Sequence, residues 1–438
     1  MKHSVVLDRN RCRGCTTCIK NCPTEAIRVR RGKAMILADR CIDCGRCIQV
    51  CPHHAIKAVC DDLSRLREFR YCVAVPEPVL YGQFRHMWDI DLVLNGLLKI
   101  GFHQVFESAR ASELLADYTA RRGDWTSRPM PVISSHCPTI LRLIRIRFPR
   151  LIEQIDPLIL PMELAATLAR QEAVERTGLK PEEIGVFSIV PCPAKATACQ
   201  RPEGLEAPVL DGSFAIRDIY LPLLRAMESL DEMKPIFSSG ATGIGVAVCS
   251  GESHARGSDK FLAVDGIDNA IQMLEEIEDG RQSEVEFIEL SACTQGCVGG
   301  CLTVENPYAA RMRIRRMMKQ LPLSRCTESL SRQQEKSLRF SRILQYSPAF
   351  RLDADRAEAM AKHLRIEALE ARLPGLHCGS CGAPNCHAFA EDVVLGRASQ
   401  EDCIFRVRER MRDVAGPGGT DAYLPPPFRQ KKPEQSER

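Results

Sequence analysis

The sequence has no long apolar run. Nowhere in its 438 residues do about 18 apolar side chains follow one another, so no membrane-spanning helix is expected. The opening stretch, MKHSVVLDRNRCRGC, holds no apolar core of signal-peptide length. An excess of one charge is also missing. Lys+Arg 60 against Asp+Glu 56 leaves a formal net charge of +4, with the basic residues interspersed rather than blocked. That excludes the electrostatic footprint of a nucleic-acid binder. The chain reads as cytoplasmic and soluble, without nucleic-acid or membrane partners, and long enough for several domains.

Cysteine, in contrast, is abundant. Twenty-two cysteines without an export signal do not read as a disulfide framework, because the cytosol keeps thiols reduced. Metal binding is the default explanation. Four of them stand outside any repeat: Cys137 in SSHCP, Cys192 in VPCPAK, and Cys293 with Cys297 in SACTQGC. Thiolates spread over about 160 residues, three of them beside Pro or Gly, are what one buried cubane cluster recruits from separate loops.

Near the N-terminus, Cys12, Cys15, Cys18 and Cys22-Pro23 spell C-x2-C-x2-C-x3-C-P, and Cys41, Cys44, Cys47 and Cys51-Pro52 spell it again. Three close thiolates wrap three corners of a 4Fe–4S cube, while the fourth, turned away by its proline, ligates the other cluster. Cluster one is therefore expected on Cys12, Cys15, Cys18 and Cys51, and cluster two on Cys41, Cys44, Cys47 and Cys22. TEAIRV (24–29) and HHAIKAV (53–59) extend the repeat, each as a short helical turn entering a strand. A zinc ribbon would need two CxxC pairs instead. The segment resembles a bacterial two-cluster ferredoxin, which implies an α+β electron-transfer domain over residues 1–62.

From about residue 70 to 310, short β-rich runs alternate with amphipathic helical stretches. Candidate strands are YCVAV (71–75), QVFE (104–107), PVISS (131–135), IGVFSIV (184–190), PIFSS (235–239) and VEFIEL (285–290). The alternation predicts an α/β domain with covered parallel sheets, in lobes over 70–165 and 180–310. Ligands in such sheets gather at the carboxyl ends of strands. Cys137, Cys192, Cys293 and Cys297 all follow predicted strands.

The loops carrying these cysteines resemble the three signatures of iron-only (FeFe) hydrogenases, roughly TSCCP, MPCxxKxxE and ExMxCxxGCxxG. Here they read Ser134-Ser135-His136-Cys137-Pro138, Val190-Pro191-Cys192-Pro193-Ala194-Lys195, and Glu289 through Cys293, Cys297 and Gly299; Gly240–Gly243 matches the family's Gly-rich turn. The resemblance implies a two-lobed catalytic domain over 63–315 in which Cys137, Cys192, Cys293 and Cys297 hold the 4Fe–4S half of the H-cluster. Cys297 would bridge to a two-iron subsite whose carbonyl and cyanide ligands come from hydrogenase maturation enzymes. Lys195 would partner a cyanide, an arrangement that satisfies both charges.

Several positions depart from the family pattern. His136 stands where fast enzymes carry a proton-passing cysteine, Ala198 replaces the acid of the second signature, and Asp156 aligns with a relay serine. SELLADYTARRG keeps only Glu113 and Asp117 of a usually carboxylate-rich stretch, Ser291 replaces an apolar partner of the cluster, and Cys301 is an additional thiol. Histidine titrates near neutrality and can shuttle protons. The catalytic candidates are thus His136, Lys195 and Cys297, in a chain resembling the divergent sensory branch of the family. Cys301 reads either as a tuning or protective thiol or as a small apolar residue. Cys60, Cys72, Cys199, Cys249 and Cys326 read as buried structural thiols.

Residues 316–370 are expected to form a helical linker, and the Arg-rich Arg311–Lys319 stretch a solvated helix packed through its Met and Ile residues. Beyond it Cys378-x2-Cys381, Cys386 and Cys403 have the make-up of one 4Fe–4S site, although four thiolates satisfy zinc equally well. This region, 371–410, resembles the small helical iron–sulfur domain of the corrinoid iron–sulfur protein and the Rnf complex. His377 and His387 read as surface residues beside it, and residues 411–438 as a disordered tail.

Two functions follow. One is a multi-cluster oxidoreductase that binds or slowly interconverts hydrogen with protons and electrons, with a redox partner such as ferredoxin and a signalling partner for any sensory output. The other is a non-catalytic electron carrier or cluster scaffold without a two-iron subsite. No helix-turn-helix or kinase-like segment supports a regulator acting by itself.

Overall fold

The run IGVFSIV is buried at every position, as expected for a strand covered on both faces of a parallel sheet. In the computed structural model, which describes residues 3–85, 89–122, 129–257, 259–325 and 332–415, Ile184–Val190 lies inside a four-stranded sheet. The order is Gln104–Val105, Tyr71–Pro76, Ile184–Val190, Gly212–Ala215, and every pairing is parallel. Alternation along Tyr71–Pro76 sends side chains to opposite faces. Cys72 and Ala74 join the core formed with Val93, Leu94 and Leu97, while Val73 and Val75 join Leu164, Ala165 and Ala169. A second parallel sheet, Phe261–Asp265, Phe287–Ser291 and Val132–Ile133, packs Ile133, Ile288 and Leu290 against the helices Pro138–Arg147 and Ile267–Glu278.

The fold is therefore mixed α/β with parallel sheets, but its lobes are not consecutive in sequence. Tyr71–Pro76 pairs with Ile184–Val190, and Val132–Ile133 with Phe287–Ser291, so each sheet draws on both halves of 70–310. The PIFSS strand is also absent. Asp91 Oδ1 accepts the N–H groups of Ile236 and Phe237, both at 2.7 Å, and Glu107 Oε2 accepts that of Ser238 at 2.7 Å. Carboxylates thus satisfy backbone groups that a sheet ladder would otherwise take. The strands Gly212–Ala215 and Phe261–Asp265 were not foreseen.

The chain divides into two compact units, Met1–Arg11 with Ala38–Ala349, and Cys12–Leu37 with the residues from Phe350 on. The first contains both parallel sheets and an antiparallel pair, Val5–Leu7 with Ile56–Ala58. Its helix Pro307–Met318 buries Ala310, Ile314 and Met317, the solvated-helix packing expected of the Arg-rich stretch. Among the described residues of SLSRQQEKSLRFSRILQY, the helix is confined to Arg332–Ser337. Afterwards the backbone extends, with Leu338 accepting from Ile159 N at 2.9 Å and Phe340 N donating to Pro157 at 2.7 Å.

The second unit combines the hairpin Ile27–Arg30/Lys33–Ile36 with the helices Thr17–Lys20, Arg356–Glu370, Cys386–Val394 and Ile404–Ala415. Arg31 and Gly32 turn the hairpin at φ 51° and 71°, the doubly positive combination that matches strand twist. Ile366, Leu369, Leu373 and Phe389 form the core beneath the last cysteine cluster. The expected tail begins inside the helix Ile404–Ala415, and residues 416–438, like Cys326, lie outside the described residues. Among the described residues no helix is long and apolar enough to cross a membrane.

The helix Pro161–Thr177 gives a stability prediction. Glu163 accepts the N–H of Leu160 at 2.9 Å but is only 2 % exposed, and burial, reinforced by Glu203, pushes its carboxyl up to about 7. The folded state then binds more protons than the unfolded chain between the ordinary carboxylate range and pH 7, so this group's contribution to stability falls as pH rises through that window. The cost is complete above pH 7. Glu163→Gln should flatten the pH dependence of the melting temperature between about pH 5 and 8, checked by thermal melts of both proteins.

Candidate metal centre

Parallel strands deliver three of the four isolated cysteines. Cys192 follows Ile184–Val190, Cys293 follows Phe287–Ser291, and Cys137 comes four residues after Val132–Ile133. Cys137 and Cys192 are each the residue before a helix that begins with proline, Pro138–Arg147 and Pro193–Gln200. Proline suits that first position because its missing N–H has no helical partner there. Cys297 opens a single helical turn, Cys297–Gly299.

The four thiols converge. Burial pushes Cys293 well above the ordinary thiol range, and the thiols of Cys192, Cys137, Cys297 and Cys301 add to the shift. Cys192 is raised by burial and then by Cys297 and Cys137, with Lys195 opposing. Burial lifts Cys297 to about 12 despite Lys195. Four partly buried sulfurs within electrostatic reach of one another form a donor set that suits a cubane cluster. Loading it must expel the thiol protons.

Lys195 is not a solvated surface lysine. It is 1 % exposed, and its Nζ lies 2.8 Å from Oε2 of Glu77, itself buried. Burial works against the ammonium, yet Glu77 and the thiols of Cys297 and Cys192 outweigh it and hold Lys195 above the ordinary lysine range. Beyond this ion pair, Lys195 Nζ and Glu77 Oε1 have no hydrogen-bond partner. Glu77 is a residue that the sequence reading missed. Its place directly after Tyr71–Pro76, at the carboxyl end of a parallel strand, was the available signal.

His136 is enclosed beside this pair. Burial, then the charge of Lys195, lowers its imidazole to about 3, and its Nε2 has no partner. It lines a cavity of about 30 Å³ with Ser112, Thr119, Ser135, Glu252 and Arg256, enough space for a water molecule or two. From there a polar chain runs outward. Ser134 Oγ accepts the N–H of His136 at 3.1 Å and donates to Glu252, and Arg256 bonds both Glu252 and Asp156 at 2.9 Å. Glu252 and Arg256 gave no sequence signal. The two carboxylates of the SELLADYTARRG stretch lie elsewhere: Glu113 accepts from Gly240 N, Ser324 Oγ and Arg325 N, and Asp117 pairs with exposed Arg121. Ala198 is buried in the apolar core.

Cys301 packs against the second cysteine repeat, since a Cβ at Gly45 would collide with its Sγ. Gly45 also has φ +74°, a conformation that disfavours other residues. Cys44, Cys293 and Cys301 open onto one cavity of about 510 Å³. Asp43 of the same repeat is held by Ser4 N, Val5 N, Thr197 Oγ1 and Arg142. His3, Cys41 and Asp43 bring possible ligand atoms within 4.8 Å of one another. Cys41, Cys44, Cys47 and Cys51 belong to the first unit, and Cys12, Cys15, Cys18 and Cys22 to the second with Cys378, Cys381, Cys386 and Cys403. Of the thiols taken as structural, Cys72 and Cys199 are buried and Cys60 and Cys249 partly so.

A sequence profile described as iron only hydrogenase large subunit, C-terminal domain, matches residues 71–223 and 230–301. A 4Fe–4S dicluster domain matches 4–52, and an Fe–S cluster segment 373–405. The periplasmic iron hydrogenase large subunit of Nitratidesulfovibrio vulgaris is 25% identical over 361 residues, 68% of this chain and 86% of that protein. The NADP-reducing hydrogenase subunit HndD of Solidesulfovibrio fructosivorans is 26% identical over 116 residues, 24% of this chain and 20% of that one. Among solved structures, an FeFe-hydrogenase HydA1 from Chlamydomonas reinhardtii shares 15% identity, with 58% of this chain and 87% of that chain covered at a TM-score of 0.46. With an N-terminal ferredoxin-like iron–sulfur domain and a profile match across more than half its length, the chain belongs to the iron-only hydrogenase family of iron–sulfur oxidoreductases.

Proposed function

We propose that the protein is a hydrogenase of the divergent, sensory kind, binding hydrogen and interconverting it slowly with protons and electrons. The observation that carries this reading is the buried Glu77–Lys195 pair at the thiols of Cys192 and Cys297, beside an unpartnered His136 Nε2. Cys137, Cys192, Cys293 and Cys297 would hold the 4Fe–4S half of an H-cluster, and Cys297 the two-iron subsite installed by maturation enzymes. That group, when bound, supplies the iron at which hydrogen is formed and split. Lys195 offers a fixed ammonium to its anionic ligands, in a site where water does not compete.

His136 is neutral at physiological pH and offers hydrogen bonds rather than a stored proton. Glu252, with a side chain 19% exposed, joins its cavity to solvent. A proton can pass by this route, but through a water and an imidazole in place of the usual thiol, which accounts for slow turnover. The wider assignment follows the sequence domains: two clusters on the N-terminal repeats within 1–62, the H-cluster domain over 63–315, a linker over 316–370 and a fourth cluster over 371–410. A ferredoxin-like redox partner exchanges electrons with the clusters, and a signalling partner reads the output in the cytoplasm.

A second reading rests on the same pair. Glu77 already neutralises Lys195, so the lysine needs no cyanide, and the chain then works as an electron carrier or scaffold. Matured His136→Cys separates the two. It should raise hydrogen–deuterium exchange by at least about tenfold while leaving the infrared ligand bands in place. A fall in exchange would show that the His136 imidazole is the better proton carrier here and not the cause of slow turnover, and absence of exchange in both proteins would favour the second reading.

A further inference from the structure

The last cysteine cluster shares one compact unit with Cys12, Cys15, Cys18 and Cys22, and its ligand loop packs on the helix Thr17–Lys20 that bears Cys18 and on the strand after Cys22. The segment 377–386 lies along residues 20–30. Val29 N donates to Gly382 O at 2.7 Å, and Arg30 Nη1 to Cys381 O at 3.0 Å. Lys20, two residues after Cys18, donates to the carbonyls of His377 and Pro384, the latter at 3.3 Å. Asn385 Nδ2 donates to Glu25 Oε1 at 2.5 Å. The contact leaves no slack, because a Cβ at Gly382 would run into Val29 O.

A buried ion pair fixes the arrangement. Arg28 and Asp392 are each 1 % exposed and lie 2.6 Å apart, and Arg30 reaches the same carboxylate at 2.5 Å. Asp392 sits on the helix Cys386–Val394, which begins at a predicted ligand, while Arg28 and Arg30 sit on the strand Ile27–Arg30 that follows Cys22. Buried charges of this kind carry a desolvation cost and are retained most understandably where they specify a geometry. A purely structural zinc site would need its own four thiols and no such registration of ligand loop on ligand loop.

We infer that the Cys378, Cys381, Cys386 and Cys403 site holds a redox-active 4Fe–4S cluster whose electron partner is the cluster of the Cys12–Cys18 loop. One electron leaves the reduced C-terminal cluster and reduces the oxidised N-terminal one, with no bond made and no proton required. Electron exchange weakens steeply with separation, so direct contact between ligand loops is the property that a relay needs. Cys378 is exposed, which opens this end to a one-electron carrier in solution. The inference goes beyond the hydrogenase reading and does not depend on the two-iron subsite.

The test uses the full chain reconstituted with iron and sulfide, without maturation enzymes, and reduced with dithionite. Iron and zinc analysis should give iron at the C-terminal site and no stoichiometric zinc. The electron paramagnetic resonance spectrum should show broadening from spin coupling between two reduced clusters, lost in Cys381→Ser. Asp392→Asn, which keeps all four thiols, should retain the iron but weaken the coupling, and it serves if Cys381→Ser does not accumulate. One zinc per chain would overturn the inference. So would a cluster whose loss in Cys381→Ser, or loosening in Asp392→Asn, leaves the remaining signals unchanged.

Discussion

Lys195→Met is expected to lower the free energy of unfolding by about 3–5 kcal/mol and to abolish retention of a two-iron subsite. The stability loss follows from burial. Glu77 is 2 % exposed and its Oε1 has no hydrogen bond, so removing the ammonium leaves an uncompensated carboxylate in the interior. Glu77→Gln with Lys195→Met removes both charges and should recover most of the stability, since replacing a buried pair outright is often nearly neutral. It should not recover the two-iron ligand bands. Denaturant melts and infrared spectra of the parent, single and double variants separate the two effects. Bands surviving in the double variant would show that Lys195 serves packing alone.

Asp43→Ala should have an effect of similar size, about 3–5 kcal/mol, in a different place. Asp43 accepts from Ser4 N at 3.1 Å, Val5 N at 3.3 Å and Thr197 Oγ1 at 2.8 Å, and pairs with Arg142. Thr197 lies on the helix that starts after Cys192, and Arg142 on the helix that starts after Cys137. One carboxylate therefore ties the loop of Cys41 and Cys44 to both helices that follow the convergent Cys137 and Cys192. Alanine strands Arg142, 7 % exposed, with Glu203 at 2.8 Å as its remaining ionic partner. Asp43→Asn keeps hydrogen-bonding capacity without charge and should lose less. Guanidinium unfolding followed by cluster absorbance ranks the three proteins, and equal midpoints would contradict this account of Asp43.

The main strands were legible because their chemistry is local. IGVFSIV is apolar apart from Ser188 and β-branched at its ends, and YCVAV is similarly apolar. The four convergent cysteines were legible because each stands in a short motif after such a strand. PIFSS misled for a nonlocal reason: its backbone partners are the side chains of Asp91 and Glu107, more than 100 residues away. The interleaving of the two sheets was hidden for the same reason, since a parallel partner is set by crossover connections rather than by the strand's own sequence. Glu77, Glu252 and Asp43 are single acidic residues with ordinary neighbours, and only folding reveals that Lys195, Ser134 and Arg142 are their partners. The contact between the first and last cysteine loops joins residues more than 350 positions apart, beyond the reach of any spacing rule.

The central claim is that the convergent cysteines, with Lys195 beside them, hold a two-iron subsite next to a cubane. Infrared spectroscopy of protein matured in a competent host, recorded under argon and then under hydrogen, tests it most directly. Carbonyl and cyanide bands that shift on exchange of the gas, with about eighteen irons per chain, are the predicted result. About sixteen irons, with no such bands under either gas, would contradict it.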